Sequence, residues 1–337
     1  MSSLVAGLIL ILVAGIFQGT WALGVKRSEP LSWEALWAPF SLIGMIIIPF
    51  VWVSIVIPDL RAVIEAVPSK VIWTPFIFGA TWGIGAVTFG LAIKYIGMSL
   101  SYGINMGIAS TIGALIPFFQ LDNLQSNLVV AVVGGSVVVV IGIILITRAG
   151  ILREKYQGKN EDQIVKEGHT RIGIILALIG GLSTAAFNVG FNAALPVVDV
   201  AVEMGATTAN GSLIAWLFVL SGGFILNFAY AVFLLIKNKS YKTYAAKGSG
   251  KGILVMVITA IAWFAAIGIY GQGAAVMGEL GPIAGWIMFM ALALIVSNIW
   301  GLRTGEWKGM KVPLKYLYAG NIILILSWII LGWANTL

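Results

Sequence analysis

Neutral hydrogen-bonding side chains recur inside the apolar runs of this 337-residue chain. Amides and hydroxyls can bind the hydroxyl groups of a polyol, while an indole or phenol ring covers its apolar face. The candidates for such binding are Gln18, Trp82, Tyr102, Asn105, Asn188, Asn192, Tyr270 and Gln272. Asn188 and Asn192 are four residues apart and therefore share one face of a helix. The pattern predicts a binding site for a neutral sugar or polyol.

Charged side chains, by contrast, are missing from the middle of every predicted membrane span. A charge inside the membrane is costly and usually marks the path of an ion or a charged substrate. The chain also has no cysteine, and we find no cluster of metal ligands and no set of residues for nucleophilic catalysis. We therefore expect neither an enzyme, nor a cofactor, nor a metal site.

Carboxylates at the edges of the spans are the candidates for proton coupling. They are Glu279, Glu34 and Glu203, of which Glu279 lies in the very short connection between spans 8 and 9. For Glu279 the simpler interpretation, a solvated loop charge, is favoured. Sodium coupling through backbone carbonyls and the oxygens of Asn or Thr stays open as an alternative.

Ten apolar runs, each long enough to cross a bilayer, must position these residues. The chain is 60% hydrophobic and 10% charged, whereas soluble domains carry about 25% charged residues. The runs cover about 4–25, 35–57, 71–93, 97–119, 128–147, 172–194, 211–236, 252–274, 281–302 and 316–335. The sequence therefore predicts an all-α polytopic membrane protein with ten transmembrane helices.

The basic residues give the orientation of these helices. All but two of the 20 Lys and Arg residues lie in odd-numbered loops, the exceptions being Arg61 and Lys70. Because basic loops stay in the cytoplasm, both termini are predicted to lie outside. The net charge of +7 reflects this distribution, and we expect no nucleic-acid partner.

Ten spans divide into two groups of five, and an odd number of spans per repeat places the second copy upside down. We therefore expect two inverted five-helix repeats, 1–147 and 172–337, joined by a cytoplasmic linker loop at 148–171. Gly-xxx-Gly pairs occur at Gly15/Gly19, Gly79/Gly83, Gly103/Gly107 and Gly281/Gly285. We expect them to serve packing within the bundle rather than dimerisation. Most of the tryptophans near span ends, namely Trp21, Trp37, Trp73, Trp307 and Trp333, are expected at the membrane interface.

Several motifs, in order along nearly the whole chain, resemble the bacterial L-rhamnose–proton symporter family. They are Phe78-Gly79-Ala80-Thr81-Trp82-Gly83-Ile84-Gly85, Gly90-Leu91, Lys94-Tyr95-Ile96-Gly97-Met98-Ser99, Ser32-Trp33-Glu34 with Trp37, Thr147-Arg148-Ala149-Gly150, Asn192-Ala193-Ala194, and Gly301 with Glu306-Trp307. The resemblance implies membership of the drug/metabolite transporter superfamily. It also implies ten spans, an inner-membrane location and uptake of a deoxysugar with a proton.

Taken together, the residues and the resemblance predict a secondary transporter that imports L-rhamnose or a related neutral sugar by alternating access. The first alternative is an exporter of a drug or metabolite with the same fold. The second is a non-transporting membrane sugar sensor or a membrane enzyme. The expected partners are a small neutral sugar, a proton (with sodium as the alternative ion) and membrane lipids, and no obligate protein partner is evident.

Overall fold

A computed structural model describes residues 3–122, 124–158 and 167–337 of the chain. Within these residues, ten helical segments are long and apolar enough to cross a membrane, as the sequence predicts. We number them as spans 1 to 10. They are Ser3–Lys26, Trp33–Val56, Ser69–Ile96, Met98–Phe118, Ser126–Tyr156, Thr170–Glu203, Thr208–Lys237, Ser249–Val276, Gly281–Arg303 and Lys311–Ala334.

Two of the spans are not continuous α-helices. Span 2 consists of helices Trp33–Leu42 and Ile48–Val56 with a π-helix, Ile43–Ile47, between them. Pro49 has no N–H to donate to the carbonyl of Met45, and the N–H of Ile48 bonds five residues back to Ile43. Span 6 is a long helix, Glu167–Ala194, followed by a short one, Pro196–Glu203.

The connections outside the spans are short. A helix at Leu60–Ala66 lies between spans 2 and 3, and a 3₁₀-helix at Ser240–Ala245 lies between spans 7 and 8. Spans 3 and 4 meet at Gly97, whose φ of +77° is in a region that favours glycine. This joint is where the sequence predicts it.

The structure describes part of the linker predicted at 148–171. The helix of span 5 continues to Tyr156 and that of span 6 begins at Glu167. Residues 159–166 of the linker, and the side chain of His169, lie outside the described residues. The boundaries of the two predicted repeats stay a prediction.

The bundle has two unlike halves. We call the half that carries both chain termini the terminal half, and the half that carries the odd-numbered loops the basic half. In the terminal half, every residue of 211–220 in span 7 and of 281–291 in span 9 is buried. In the basic half, residues 20–25 of span 1 are all half-buried, and most of 171–182 in span 6 is exposed. Spans 7 and 9 are therefore packed on all sides in the terminal half, whereas spans 1 and 6 have half-buried or exposed faces in the basic half.

Glycines bring the spans together, as predicted. A Cβ on Gly79 of span 3 would clash with the carbonyl oxygen of Val219 in span 7, and one on Gly222 of span 7 would clash with that of Phe76. A Cβ on Gly15 would lie 2.7 Å from the side chain of Leu292 in span 9. These contacts lie within one chain, so the prediction of packing inside the bundle is confirmed.

Candidate substrate site

Two tryptophans at the midpoints of their spans lie with their rings almost parallel. The ring centroids of Trp82 in span 3 and Trp263 in span 8 are 6.3 Å apart, and the interplanar angle is 11°. Phe187 of span 6 approaches Trp82 with ring centroids 4.5 Å apart. Trp82 is half-buried, and Trp263 is buried. Such ring faces suit the apolar face of a sugar. Trp263 is not among the predicted binding residues, although its indole lies inside an apolar run of the sequence.

A glycine lies beside each of these indoles, and the one beside Trp82 leaves space that a Cβ would fill. A Cβ on Gly223 would lie 2.6 Å from Cε3 of Trp82, and one on Gly44 would lie 3.4 Å from Cε3 of Trp263. Gly44 belongs to the π-helix Ile43–Ile47 of span 2. Turns of π-helix are rare overall, but those that occur are frequently found at functional sites. This turn lies beside Trp263, in the same midplane region as the paired indoles.

Asn188 of span 6 is bound by three other spans. Its Nδ2 donates to the carbonyl oxygens of Gly113 and Pro282, each at 2.9 Å. Its Oδ1 accepts a hydrogen bond of 2.8 Å from the Tyr270 hydroxyl. Asn188 and Tyr270 are both 0% exposed. The structure thus brings these two predicted binding residues together, but their partners here are protein groups.

A proline explains one of these contacts. Pro117 lies four residues after Gly113 in span 4 and has no N–H, so the Gly113 carbonyl lacks its ordinary helical donor. A buried carbonyl without a donor is costly, and the Asn188 amide supplies the missing hydrogen bond. The proline is a local sequence signal for a free carbonyl, but it does not identify the donor.

A second polar cluster joins spans 3, 4 and 6 in the basic half. Asn105, which is 3% exposed, donates through Nδ2 to the Thr184 hydroxyl at 3.3 Å. The Thr184 hydroxyl donates to the carbonyl of Gly180 at 2.8 Å. A Cβ on Gly180 would lie 3.2 Å from Asn105 Nδ2 and 3.3 Å from Thr88 Oγ1, so the cluster is close-packed. It offers neutral donors and acceptors near the depth of Trp82.

Two further predicted binding residues have buried polar atoms without partners. Within the described part of the chain, neither Gln18 Oε1 nor Asn192 Nδ2 has a hydrogen-bond partner. Gln18 is three residues from Trp21 and so shares its helix face, and Trp21 lies against Phe40 with ring centroids 6.2 Å apart. Because an unpaired buried amide is costly, these atoms are available to a polar ligand.

The remaining two predicted binding residues lie near opposite ends of the bundle. Gln272, near the terminal end of span 8, donates to Asn210 Oδ1 at 3.1 Å. Tyr102, near the basic end of span 4, is 40% exposed. With a rise of about 1.5 Å per helical residue, the two cannot contact one small ligand together in this conformation.

The three proton-coupling candidates lie at the ends of the bundle. Glu203 and Glu279 are exposed on the terminal side. Glu34, on the basic side, is 8% exposed and accepts hydrogen bonds from Asn238 Nδ2 at 3.0 Å and from the Ser240 hydroxyl. Among the described residues, no group of three or more His, Cys, Asp or Glu side chains could hold a metal ion.

Glu306 is a further partly buried carboxylate that is not among the predicted proton-coupling residues. This carboxylate, in the turn between spans 9 and 10, accepts hydrogen bonds from Lys26 Nζ at 2.6 Å and Arg153 Nη1 at 2.9 Å. The Arg153 guanidinium also lies 4.6 Å from the ring centre of Trp307. Burial raises the pKa of Glu306, but the hydrogen bond and charge of Lys26 and the charge of Arg153 outweigh it and hold the pKa below 4.5. The sequence signal for this contact was a single acidic residue among the basic residues of the connection between spans 9 and 10.

The tryptophans expected at the interface divide into two groups. Trp73 and Trp333 are 58% and 54% exposed, as an interfacial position requires. Trp307 does not fit the expectation, since it is 5% exposed. Trp37 is half-buried, and its Nε1 donates to the buried Asn227 at 3.1 Å. These indoles have buried partners inside the bundle, which the position near a span end could not indicate.

Comparison with known proteins gives one consistent family. The family model described as "L-rhamnose-proton symport protein (RhaT)" matches residues 1–336. The chain is 26% identical to the L-rhamnose-proton symporters of Cronobacter sakazakii and Klebsiella pneumoniae, with 91% of each chain covered. It is also 26% identical to the L-rhamnose-proton symporter of Yersinia pestis, with 98% of each chain covered.

Proposed function

Since the chain belongs to the L-rhamnose-proton symport protein family, we propose that it imports L-rhamnose or a closely related neutral sugar together with a proton. The match over residues 1–336 carries this proposal. The ten apolar spans and the neutral polar groups at the midplane agree with it. Members of this family are transporters rather than enzymes.

The proposed sugar site lies between the midplane and the basic half. Trp82 and Trp263 supply ring faces for the apolar side of the sugar, and Asn105 supplies a neutral amide for its hydroxyls. The unpartnered Oε1 of Gln18, in the basic half of span 1, is a further acceptor for it. Asn192 lies one turn beyond Asn188 toward the terminal end of span 6, so its contact with the sugar stays a prediction. For Asn188, Tyr270, Tyr102 and Gln272, contact with the sugar stays a prediction.

Proton coupling by Glu279, Glu34 or Glu203 also stays a proposal. Exposure leaves Glu203 and Glu279 accessible to protons from the terminal side. Glu34 is bound by neutral groups of the connection between spans 7 and 8, so its protonation would weaken that contact. Sodium is the alternative coupling ion.

The packing of the spans supports two inverted repeats. In two five-span repeats, spans 1 to 5 correspond in order to spans 6 to 10. The contact of span 3 with span 6 therefore corresponds to the contact of span 8 with span 1. Likewise, the contact of span 4 with span 6 corresponds to that of span 9 with span 1. All four pairs are among the most extensive contacts of the bundle, as is span 5 with span 10, which maps onto itself. Alternating access is a common use of this architecture.

We place the basic half in the cytoplasm and both termini in the periplasm of a bacterial inner membrane. The distribution of Lys and Arg supports this orientation. Exposed apolar side chains such as Ile55 and Val130 would contact membrane lipids. Membership of the drug/metabolite transporter superfamily agrees with ten spans in two groups of five. Neither an exporter of the same fold nor a sugar sensor is favoured by the family.

The direct test is uptake of radiolabelled L-rhamnose into proteoliposomes under an imposed pH gradient and, separately, a sodium gradient. We expect accumulation under the pH gradient alone. Trp82→Leu is expected to reduce uptake, whereas Trp73→Leu, at an exposed indole near the end of the same span, is the matched control. Absence of rhamnose uptake under both gradients would contradict the proposed substrate, and accumulation under sodium alone would contradict the proton.

A further inference from the structure

The hydrogen bonds of Asn188 lie where the bundle is most tightly closed. Its partners belong to span 4 (Gly113), span 8 (Tyr270) and span 9 (Pro282). Both donor hydrogens of its amide are used, and its oxygen accepts from a phenol. One side chain of span 6 therefore joins spans from both proposed repeats.

The surroundings of this side chain leave no room for water or a ligand. Tyr270 lies against the ring of Trp286 at 5.4 Å and against that of Phe289 at 4.9 Å, measured between centroids. The Trp286 indole donates to the carbonyl of Ala109 in span 4 at 3.0 Å. Tyr270, Trp286 and Phe289 are each no more than 2% exposed. The terminal half is thus closed by rings that surround one fully used amide.

We propose that Asn188 is the positioning residue that holds the terminal half closed, by bonding the carbonyl that Pro117 leaves without a helical donor. When the terminal half opens, the Asn188 amide, the Tyr270 hydroxyl and the Gly113 carbonyl lose their protein partners together. The same groups are then exposed to the pathway and can bind sugar hydroxyls. Closure and release of the sugar are linked because both use the same hydrogen-bonding groups.

This inference rests on the alternating access of the proposed function, but its test does not need the substrate. The chain has no cysteine, so a single introduced thiol reports without background. Ser110→Cys places a thiol of similar size at a 0% exposed position of span 4, three residues from Gly113 and on the same helix face. Its reaction with a membrane-impermeant maleimide is measured separately in right-side-out and inside-out vesicles.

The Ser110→Cys thiol is expected to react very slowly from the terminal side while Asn188 is intact. Asn188→Ala is expected to speed this reaction about tenfold, since the net contribution of a buried hydrogen bond corresponds to roughly that factor in an opening equilibrium. Tyr270→Phe removes one hydrogen bond, keeps the ring, and is expected to act in the same direction. If Asn188→Ala does not fold, the labelling rate of the Ser110→Cys thiol in the Tyr270→Phe variant tests the proposal instead.

The matched control is Asn227→Ala. Asn227 is a buried amide, 3% exposed, that bonds the Gly223 carbonyl and the Trp37 indole. It is expected to leave labelling from the terminal side unchanged. Equal acceleration from both faces, or no acceleration by either Asn188→Ala or Tyr270→Phe, would overturn the proposal. If labelling follows the expectation and rhamnose is not transported, the proposed role of Asn188 in closing the terminal half stands and only the proposed substrate fails.

Discussion

The two halves of the bundle are held together by different kinds of contact. The terminal half is joined by buried neutral groups, chiefly Asn188 with Tyr270 and the rings around them. The basic half is joined near its surface by Glu306 with Lys26 and Arg153. Loss of one partner in a buried network leaves another polar group unpaired, whereas a partly exposed ion pair contributes little. We therefore expect breaking the Asn188 network of the terminal half to cost more than breaking the Glu306 contact of the basic half.

In both halves a proline leaves a helical carbonyl without its donor, and a side chain from a distant part of the chain bonds that carbonyl. Pro39 in span 2, like Pro117 in span 4, removes the helical donor for the carbonyl four residues before it. On the basic side the freed carbonyl is that of Ala35, and the Tyr244 hydroxyl donates to it at 2.7 Å. On the terminal side it is that of Gly113, bonded by Asn188. For these two proline sites the difference lies in burial rather than in the type of bond, because Asn188 is buried and Tyr244 is half-buried.

The largest expected effect concerns packing. A Cβ on Gly281 in the terminal half would clash with the backbone carbonyl of Ala274, which cannot move without shifting its helix. One on Gly24 in the basic half would clash with Oγ1 of Thr259 and lie 2.9 Å from Cβ and Cγ2 of the same side chain, which can partly rotate away. Gly281→Ala is expected to destabilise by about 3 kcal/mol and Gly24→Ala by less, about 1 to 2 kcal/mol. Thermal melting in detergent measures both, with Gly134→Ala as the control because a Cβ there meets nothing within 4 Å. Equal losses at Gly281 and Gly24 would remove the contrast between the halves.

A second prediction separates sugar binding from closure. Asn105→Ala is expected to raise the KM for L-rhamnose about tenfold, the value of one lost hydrogen bond, with little change in melting temperature. Asn188→Ala is expected to lower the melting temperature, because it leaves the Gly113 carbonyl and the Tyr270 hydroxyl unpaired. Initial uptake rates and thermal melting are measured on both variants. The reverse assignment of the two effects would contradict the site as we place it.

A third prediction concerns pH and the Glu306 contact. A carboxyl group whose pKa is lowered on folding stabilises the folded state above its ordinary pKa of 4.5, and this contribution is lost as the pH falls through the lowered value. Glu306→Gln is therefore expected to destabilise by no more than about 1 kcal/mol at pH 7. The difference from the unmodified chain should shrink as the pH is lowered below 4.5. Melting curves across pH 3.5–7 test this range, and a difference that grows with acidification would have the wrong sign.

The smallest effect is expected at the ion pair on the terminal surface. Arg61 and Glu65, four residues apart in the helix Leu60–Ala66, have side chains that are 88% and 63% exposed. Arg61→Ala is expected to change stability by less than about 0.5 kcal/mol. A larger loss in thermal melting would show that surface charge also holds the terminal half.

The spans could be predicted from the sequence because their signals are local. Apolar length determines each helix, and the basic residues mark every second connection. Gly97 interrupts the run between spans 3 and 4 where the backbone needs a positive φ. The glycine pairs were also interpretable, since a side chain absent every fourth residue allows close approach whichever helix is the neighbour.

The partners of the polar side chains could not be predicted, because they come from distant parts of the chain. Tyr270 is 82 residues from Asn188, and Trp37 is 190 residues from Asn227. The sequence identified Asn188 and Tyr270 as polar groups needing partners, but not that each is the partner of the other. The π-helix in span 2 was also missed, although Pro49 indicated that a helical hydrogen bond would be lost there.

The most direct test of sugar–proton symport is the pH change that the sugar itself causes. L-rhamnose is added to lightly buffered proteoliposomes that contain the protein and have no imposed ion gradient. Our account predicts that the external medium becomes alkaline as protons enter with the sugar, and that an uncoupler abolishes the change. Rhamnose uptake without any change in pH, or uptake only when sodium is present, would contradict it.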